Sequence, residues 1–302
     1  MIAHAMAILL LSCISATGAK NAAVLVETRY TPALLYAINQ AHRYLPDDFD
    51  IILITNTNIK NQLSKRTVLE DTDNRSNNRT ILYKTMLKET LTRHEYNALI
   101  KRKDLYDTTL KEYKWLLFFQ TDTTFCRPFD LQLFQSSQLG YVGSAWSTPV
   151  VSPPQGFSCA SLRDRSLPRA YIHVGNGGFS LRHRRRMLEI VDQWYGLSGH
   201  LPFNEDVWFA CGSHYLGSLA NLTTANAFAI ESIPFKEGMQ VPFGVHKPWK
   251  YQSDSDLKRL ESLCTPLTGL MEVNRVASSH SAYVEEVGRL NNESSVVVIE
   301  DL

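Results

Sequence analysis

The chain has 302 residues, of which 44% are hydrophobic, 20% charged and 10% aromatic. That apolar share excludes a mainly disordered or collagen-like chain and supplies core enough for one large domain or two small ones. Lys and Arg total 31 against 30 Asp and Glu, a formal net charge of +1. A chain built as a whole to bind nucleic acid shows a basic excess, so no nucleic-acid partner is expected here.

Residues 5–14 (AMAILLLSCI) form an apolar run followed by small residues up to Ala19. They read as a secretory signal removed before Lys20, although the segment ahead of the run carries His4 and neither Lys nor Arg. A frayed or extra core helix and a short uncleaved anchor are the alternatives. A run of about ten apolar residues is shorter than the ~20 needed to span a bilayer. Residues 1–19 are therefore set apart, and the secretory pathway or secretion is the expected location, with membrane contact only through such an anchor. Beyond Cys13, the cysteines are Cys126, Cys159, Cys211 and Cys264. They allow three full pairings, or buried thiols, and none forms a C-x-x-C pair that would point to zinc. Glycosylation sequons begin at Asn74, Asn78, Asn221 and Asn292.

In chain order, residues 22–26 (AAVLV) predict a strand buried on both faces that ends in Glu27-Thr28-Arg29. Pro32 fits a first helical turn, and residues 34–45 carry helical apolar spacing. Residues 51–54 (IILI) predict a second buried strand, so a βαβ unit and parallel pairing follow. Residues 71–80 (DTDNRSNNRT) read as an exposed loop and residues 83–110 as helical. Residues 115–119 (WLLFF) predict a third strand with Gln120-Thr121-Asp122 at its end, and residues 141–146 a short fourth. Residues 147–168, with Pro149, Pro153 and Pro154, read as a long irregular loop. A helix is expected from near Arg182 through 194, a short strand at 228–230, and an amphipathic helix at 254–263 followed by a polar tail. Residues 296–299 (VVVI) read as an edge strand or as disordered. Open α/β sheets bind ligands at the carboxyl ends of their strands, so Glu27 to Arg29, Thr55-Asn56 and Gln120 to Asp122 share the default site.

Five segments carry chemistry-bearing residues. Asp122, at the mouth of a buried strand, is an oxygen ligand suited to Mg²⁺ or Mn²⁺, or else a cap for the next turn. Gly175-Asn176-Gly177-Gly178 lets backbone approach a ligand closely and is expected to lead into a helix whose N-terminus favours anions. It matches neither a dinucleotide nor a P-loop pattern, and the following His183-Arg184-Arg185-Arg186 reads as a solvated helix face. Glu205 and Asp206 open a helical run, where they either satisfy the helix N-terminus or face a sugar as base or electrostatic partner. Gly244-Val245-His246-Lys247-Pro248-Trp249 brings together a metal-binding imidazole, a phosphate-neutralising ammonium and an indole able to stack on a ring.

Together, Glu27-Thr28-Arg29, Gln120-Thr121-Asp122, Gly-Asn-Gly-Gly-Phe-Ser-Leu-Arg at 175–182, Glu205-Asp206-Val207 and 244–249 resemble an uncharacterised family of glycosyltransferase-like domains of fungi, algae and bacteria. More remotely, their order resembles glycogenin-like and galactosyltransferase-like enzymes of the GT-A fold. The resemblance implies an α/β fold with a GT-A-like, Rossmann-type mixed sheet flanked by helices over residues 20–251, and a C-terminal helix and tail over 252–302. It implies a glycosyltransferase that moves a sugar from a nucleotide-sugar donor to a glycan or glycoconjugate hydroxyl. Glu27, Thr28 and Arg29 would lie near the base and ribose, and Gln120, Asp122, Asn176, Gly177, Gly178, Lys247 and Trp249 along the donor. Asp122 and His246 would hold a divalent cation, Mn²⁺ or Mg²⁺, and Asp206 or Glu205 would face the sugar or acceptor. The chain departs from those enzymes at Gln120, which replaces the first Asp of Asp-x-Asp. Gln120 can bond ribose or a metal-bound water but brings no charge, which leaves metal dependence open. A nucleotide- or glycan-binding protein of the same fold is the alternative. A nucleotidyltransferase is a third reading, opposed by the absence of Gly from residues 27–31.

Overall fold

The computed structural model describes residues 20–65, 81–136, 138–152, 170–198 and 204–285. The expected signal at 1–19, the loop at 71–80 with Asn74 and Asn78, Cys159, Asn292 and the segment at 296–299 lie outside the described residues.

The first half builds as the apolar runs dictate. Strand β1 (Lys20–Val26) leads to helix α1 (Pro32–Tyr44), capped by the Thr31 side chain on the Leu34 amide at 3.2 Å. Strand β2 (Phe49–Asn56) and helix α2 (Thr57–Lys65) follow. The next segment corrects the helical expectation over 83–110. It contains strand β3 (Ile81–Met86), helix α3 (Arg93–Ile100) and a wide helical turn at Leu105–Thr109. β3 is one edge of the sheet and only half-buried over its first four residues, so Lys84 and Thr85 break the apolar run that marks a buried strand. Helix α3 begins at a Thr92–Glu95 capping box, a local signal that overrides the longer periodicity.

Strand β4 (Tyr113–Phe119) and the short β5 (Thr123–Phe125) bracket Gln120 to Asp122. The expected strand at 141–146 is split between β6 (Tyr141–Gly143) and β7 (Ala145–Ser152), which join different sheets. β7 pairs with β8 (Ala170–Val174), so the first residues of the expected irregular loop are strand. The glycine segment leads into strand β9 (Phe179–His183), not into a helix, and helix α4 (Arg184–Ser198) starts only afterwards. The anion-at-helix reading of that segment fails for this reason. Helices α5 (Glu205–Tyr215) and α6 (Leu222–Phe228), strands β10 (Ala229–Ile230) and β11 (Gly244–His246), and helices α7 (Pro248–Tyr251) and α8 (Asp254–Leu263) complete the site region. The expected polar tail instead begins with helix α9 (Pro266–Glu285).

The main sheet has the order β3-β2-β1-β4-β9-β6, parallel from β3 to β4 and antiparallel where β9 joins β4 and β6. It is a mixed α/β sheet flanked by helices. Side chains alternate across it with period two. Ala23, Leu25, Leu117 and Phe119 pack with Leu34 and Ile38 of α1, whereas Ala22, Val24, Leu116 and Phe118 pack with Met187, Ile190 and Phe209 of α4 and α5. A third cluster joins Ile230 and Val245 to Leu260, Leu267 and Leu270, where the Cys126–Cys264 disulfide ties the residue after β5 to the end of α8. Of the other cysteines, Cys211 is buried in the core.

Because β9 runs against β4, its amino end arrives at the same rim as the carboxyl ends of β1, β2 and β4. Phe179 pairs with Phe119 at that edge. The glycines before β9 therefore sit beside Gln120 to Asp122, which is what assembles the site.

Candidate active site

A 540 Å³ cavity opens on this rim, within the usual size range of small-ligand sites. Its walls include Gln120, Asn176, Gly178, Glu205, Asp206, Glu231, His246 and Lys247. Trp146, Tyr251, Arg93 and Lys250 line it as well.

Asp122 and Gly177 are not themselves among the lining residues, but one wall is organised around Asp122. The Lys247 ammonium lies 3.0 Å from its Oδ2, and His246 Nε2 lies 3.2 Å from its Oδ1. The pairing of β11 with β5 sets His246 opposite Thr123, and the Lys247 amide donates to the Asp122 carbonyl at 3.1 Å. Lys247 itself holds a left-handed φ of 45°, the positive-φ position outside glycine among the described residues. Such a conformation costs about 1–3 kcal/mol and collects at functional sites. Burial works against the Asp122 carboxylate, but His246 and Lys247 outweigh it and hold its pKa well below the usual range. Burial likewise opposes a charged His246, while Asp122 and Glu231 raise its pKa.

The other imidazole nitrogen, Nδ1, lies 3.0 Å from Glu231 Oε1. Glu231 follows β10 and is almost wholly buried. The Asn176 amide donates to the same Oε1 at 2.8 Å, and Asn176 Oδ1 accepts from the Gly178 amide at 3.0 Å. A Cβ at Gly178 would land on the His246 ring, so glycine is required for this approach.

The second side is built around Glu205. Arg182, wholly buried on β9, meets Glu205 Oε2 at 2.8 Å and lies 4.3 Å over the Phe118 ring and 5.0 Å over Phe209. The aromatic faces stabilise the guanidinium that the carboxylate neutralises. A Cβ at Gly177 would overlap the Glu205 carboxylate and crowd Asp206, so the second glycine lets α5 approach the rim. Burial raises the Glu205 carboxyl above its ordinary value, against the pull of Arg182 and with a smaller push from Asp206. Asp206 is raised too, first by burial and then by Glu231, while the Val207 amide bonding its Oδ1 at 2.7 Å works the other way. The two neighbours thus differ: Glu205 is tied to a buried cation, and Asp206 accepts from backbone and faces the cavity.

Glu27, Thr28 and Arg29 occupy the same rim but are not among the cavity-lining residues. Glu27 accepts from the Thr28 and Arg29 amides and from the Arg29 guanidinium, each at 2.9 Å. Trp249, on α7, is 39% exposed and also stands off the cavity, whose aromatic lining is Tyr96, Trp146 and Tyr251. Arg184 donates to the carbonyls of Tyr113 and Tyr106, while Arg185 and Arg186 pair with Glu189; none of the three belongs to the cavity lining. Glu231 and Arg182 are the residues that sequence reasoning passed over as parts of the site.

Asp122 Oδ1 and His246 Nε2 suit a divalent cation in one specific respect. Both are buried polar atoms whose mutual contact lacks hydrogen-bond geometry. Buried polar atoms of this kind call for a partner. Their 3.2 Å separation is also close to that of two adjacent ligands with bonds of ~2.1 Å. Among the described residues no group of three or more His, Cys, Asp or Glu stands ready to enclose a metal, so further ligands would have to come from substrate or water.

The fold and this rim define an α/β protein with a polar, mixed-charge ligand cavity at its strand ends. The chain belongs to a family described as proteins of unknown function (DUF5672), whose model matches residues 80–246, more than half of the chain. That match contains Gln120 to Asp122, the glycine segment, Glu205-Asp206-Val207 and Glu231, and ends at His246. No curated protein matches the chain. Among solved structures, it is similar to the galactosyltransferase LgtC in complex with donor and acceptor sugar analogues, at 12% identity and TM-score 0.46, over 85% of this chain and 95% of that one. It is also similar to the mannosyltransferase Ktr4p of S. cerevisiae, at 12% identity and TM-score 0.42, over 67% and 66%. A third is the apo bifunctional glycosyltransferase WbbM, at 9% identity and TM-score 0.44, over 77% of this chain but only 46% of that one. The chain thus spans less than half the length of WbbM and about two thirds of Ktr4p.

Proposed function

We propose that this chain transfers a sugar from a nucleotide-sugar donor to an acceptor hydroxyl. The observation that carries the reading is one cavity lined both by His246 and Lys247, each in contact with Asp122 behind the wall, and by the Asp206–Glu205 carboxylate pair. The first suits a leaving diphosphate and the second suits a sugar carbon that becomes electron-poor.

In this reading the bond between the anomeric carbon and the diphosphate oxygen breaks with its electron pair on the diphosphate. The Lys247 ammonium neutralises that charge in a partly desolvated site. Asp122 and His246 would hold a Mn²⁺ or Mg²⁺ ion, which when bound supplies Lewis-acid stabilisation of the same oxygens. The acceptor oxygen bonds to the anomeric carbon, and its proton passes to the Asp206 carboxylate, which otherwise steadies positive charge on the sugar. The raised pKa of Asp206 suits a base. Glu205, neutralised by Arg182, sets the pitch of α5 and so the aim of Asp206. Asn176, Gly177 and Gly178 would border the donor sugar, Gln120 the ribose, and Glu27, Thr28 and Arg29 the base, with Trp249 at the outer margin. A secretory location is proposed with it, supported by the Cys126–Cys264 disulfide, which suits an oxidising compartment. Among the described residues no helix is long and apolar enough to cross a membrane.

The test is release of nucleoside diphosphate by the full chain from a panel of nucleotide sugars, with and without Mn²⁺, using wild type and Asp206→Asn. Turnover should fall by about 10²–10⁴ in the variant while donor affinity stays nearly constant. Equal loss of affinity and turnover contradicts the assigned role. Donor binding with no release by wild type leaves nucleotide or glycan binding as the function.

A further inference from the structure

We infer that Glu231 is a positioning residue for the cation site, fixing the His246 imidazole so that Nε2 faces Asp122 as a ligand atom. The inference rests on the cation reading proposed above. Metal-binding histidines commonly give their second ring N–H to a carboxylate or carbonyl, which sets both tautomer and ring orientation. Here Nδ1 lies 3.0 Å from Glu231 Oε1, and Nε2 lies 3.2 Å from Asp122 Oδ1. A proton on Nδ1 directed at Glu231 leaves the Nε2 lone pair toward Asp122. Neither contact has a hydrogen bond's angle, so both ring nitrogens are buried polar atoms without a hydrogen bond of their own.

Glu231 is itself fixed from the glycine segment. Asn176 donates to Glu231 Oε1 at 2.8 Å and accepts from the Gly178 amide at 3.0 Å, while Gly178 leaves room for the imidazole. Asn176 and Gly178 therefore act on the same ring, one through Glu231 and one through space. A buried carboxylate at a strand end carries a large desolvation penalty, and an amide and an imidazole are its partners in the structure. Among the described residues Glu231 is the carboxylate that faces Nδ1.

The test uses the full chain titrated with Mn²⁺ in the presence of UDP, GDP or ADP in turn. Free Mn²⁺ is followed by electron paramagnetic resonance, and bound Mn²⁺ by its electron spin echo modulation from a ligating imidazole nitrogen. Glu231→Ala should weaken Mn²⁺ binding about 10- to 100-fold and reduce the nitrogen modulation. Glu231→Gln keeps an acceptor oxygen for Nδ1 and should retain the modulation with a smaller loss of affinity. His246→Ala should abolish the modulation and calibrates the signal. If both Glu231 variants lower the unfolding midpoint but bind Mn²⁺ as wild type does, with unchanged modulation, Glu231 is only structural and the inference falls. Wild type that takes up no Mn²⁺ with any of the three nucleotides overturns the cation reading and this inference together. Wild type that binds Mn²⁺ through nitrogen beside a Glu231→Ala variant that binds equally overturns the inference alone.

Discussion

Two carboxylate–guanidinium pairs stand on this sheet at nearly the same distance, Glu27–Arg29 at 2.9 Å and Glu205–Arg182 at 2.8 Å. Both carboxylates are buried, but the surroundings of the two guanidinium groups differ. The Arg29 side chain is 67% exposed and its partner lies two residues away, so the pair closes a turn at the end of β1. The Arg182 side chain is fully buried, among aromatic rings, and its partner comes from another element 23 residues later. Separation alone therefore does not rank the pairs. The dry pair is held by the fold and in turn holds α5 against the rim, while the wet pair is a local convenience.

The comparison breaks most sharply at Arg182. Arg182→Met removes the cation and leaves the Glu205 carboxyl buried without its partner, so urea unfolding above neutral pH should show a loss of about 3–5 kcal/mol. Replacing both partners, with Glu205→Leu added, should recover much of that loss, because the buried charge goes with its partner. A loss near that of a surface pair would show that water reaches the site. The next largest effect is expected at Gly177. Ala there overlaps the Glu205 carboxylate, and overpacking of this kind typically costs about 1–3 kcal/mol, read by the same unfolding experiment.

A pH series sharpens the contrast further. The Glu205 carboxyl is raised above its unfolded value of 4.5, so the native state binds the extra proton. Its contribution to stability is full below that value and is lost as pH rises through the folded pKa. Unfolding free energy of wild type relative to Glu205→Gln should therefore decline from mildly acidic pH toward neutrality, and a rise would reverse the assignment. The smallest effect belongs to Arg29→Ala, expected to change stability by less than about 1 kcal/mol. A marked loss of donor affinity in that folded variant would give Arg29 the nucleotide contact that its exposure permits.

Much of the frame was legible in the sequence, because strands buried on both faces leave unbroken apolar runs. β1, β2 and β4 declared themselves in this way, and α1 and α8 through helical apolar spacing. β9 did not, since Arg182 near its end reads as the start of a helix until its aromatic surroundings are known. β3 was hidden by its edge position. The rule that set Gln120 to Asp122 on the rim applies equally to the strand at 228–230, whose end is Glu231-Ser232. Glu231 was thus within reach of the sequence and was missed because that strand is only two residues long. The Glu205–Arg182 and His246–Glu231 contacts had no such signal. Each joins segments whose adjacency is created by β9 running antiparallel or by β11 pairing with both β10 and β5.

Thermal unfolding of the full chain against nucleotide sugars, with and without Mn²⁺, in wild type and Asp122→Ala, tests the cavity's role most directly. A donor at a hundred times its Kd stabilises by about 2.7 kcal/mol, a clear rise in midpoint. The expected result is a rise with one class of donor that grows with Mn²⁺ and disappears in Asp122→Ala. No rise with any donor, or a rise indifferent to both Mn²⁺ and Asp122, would contradict the assignment of this cavity to a cation-assisted nucleotide sugar.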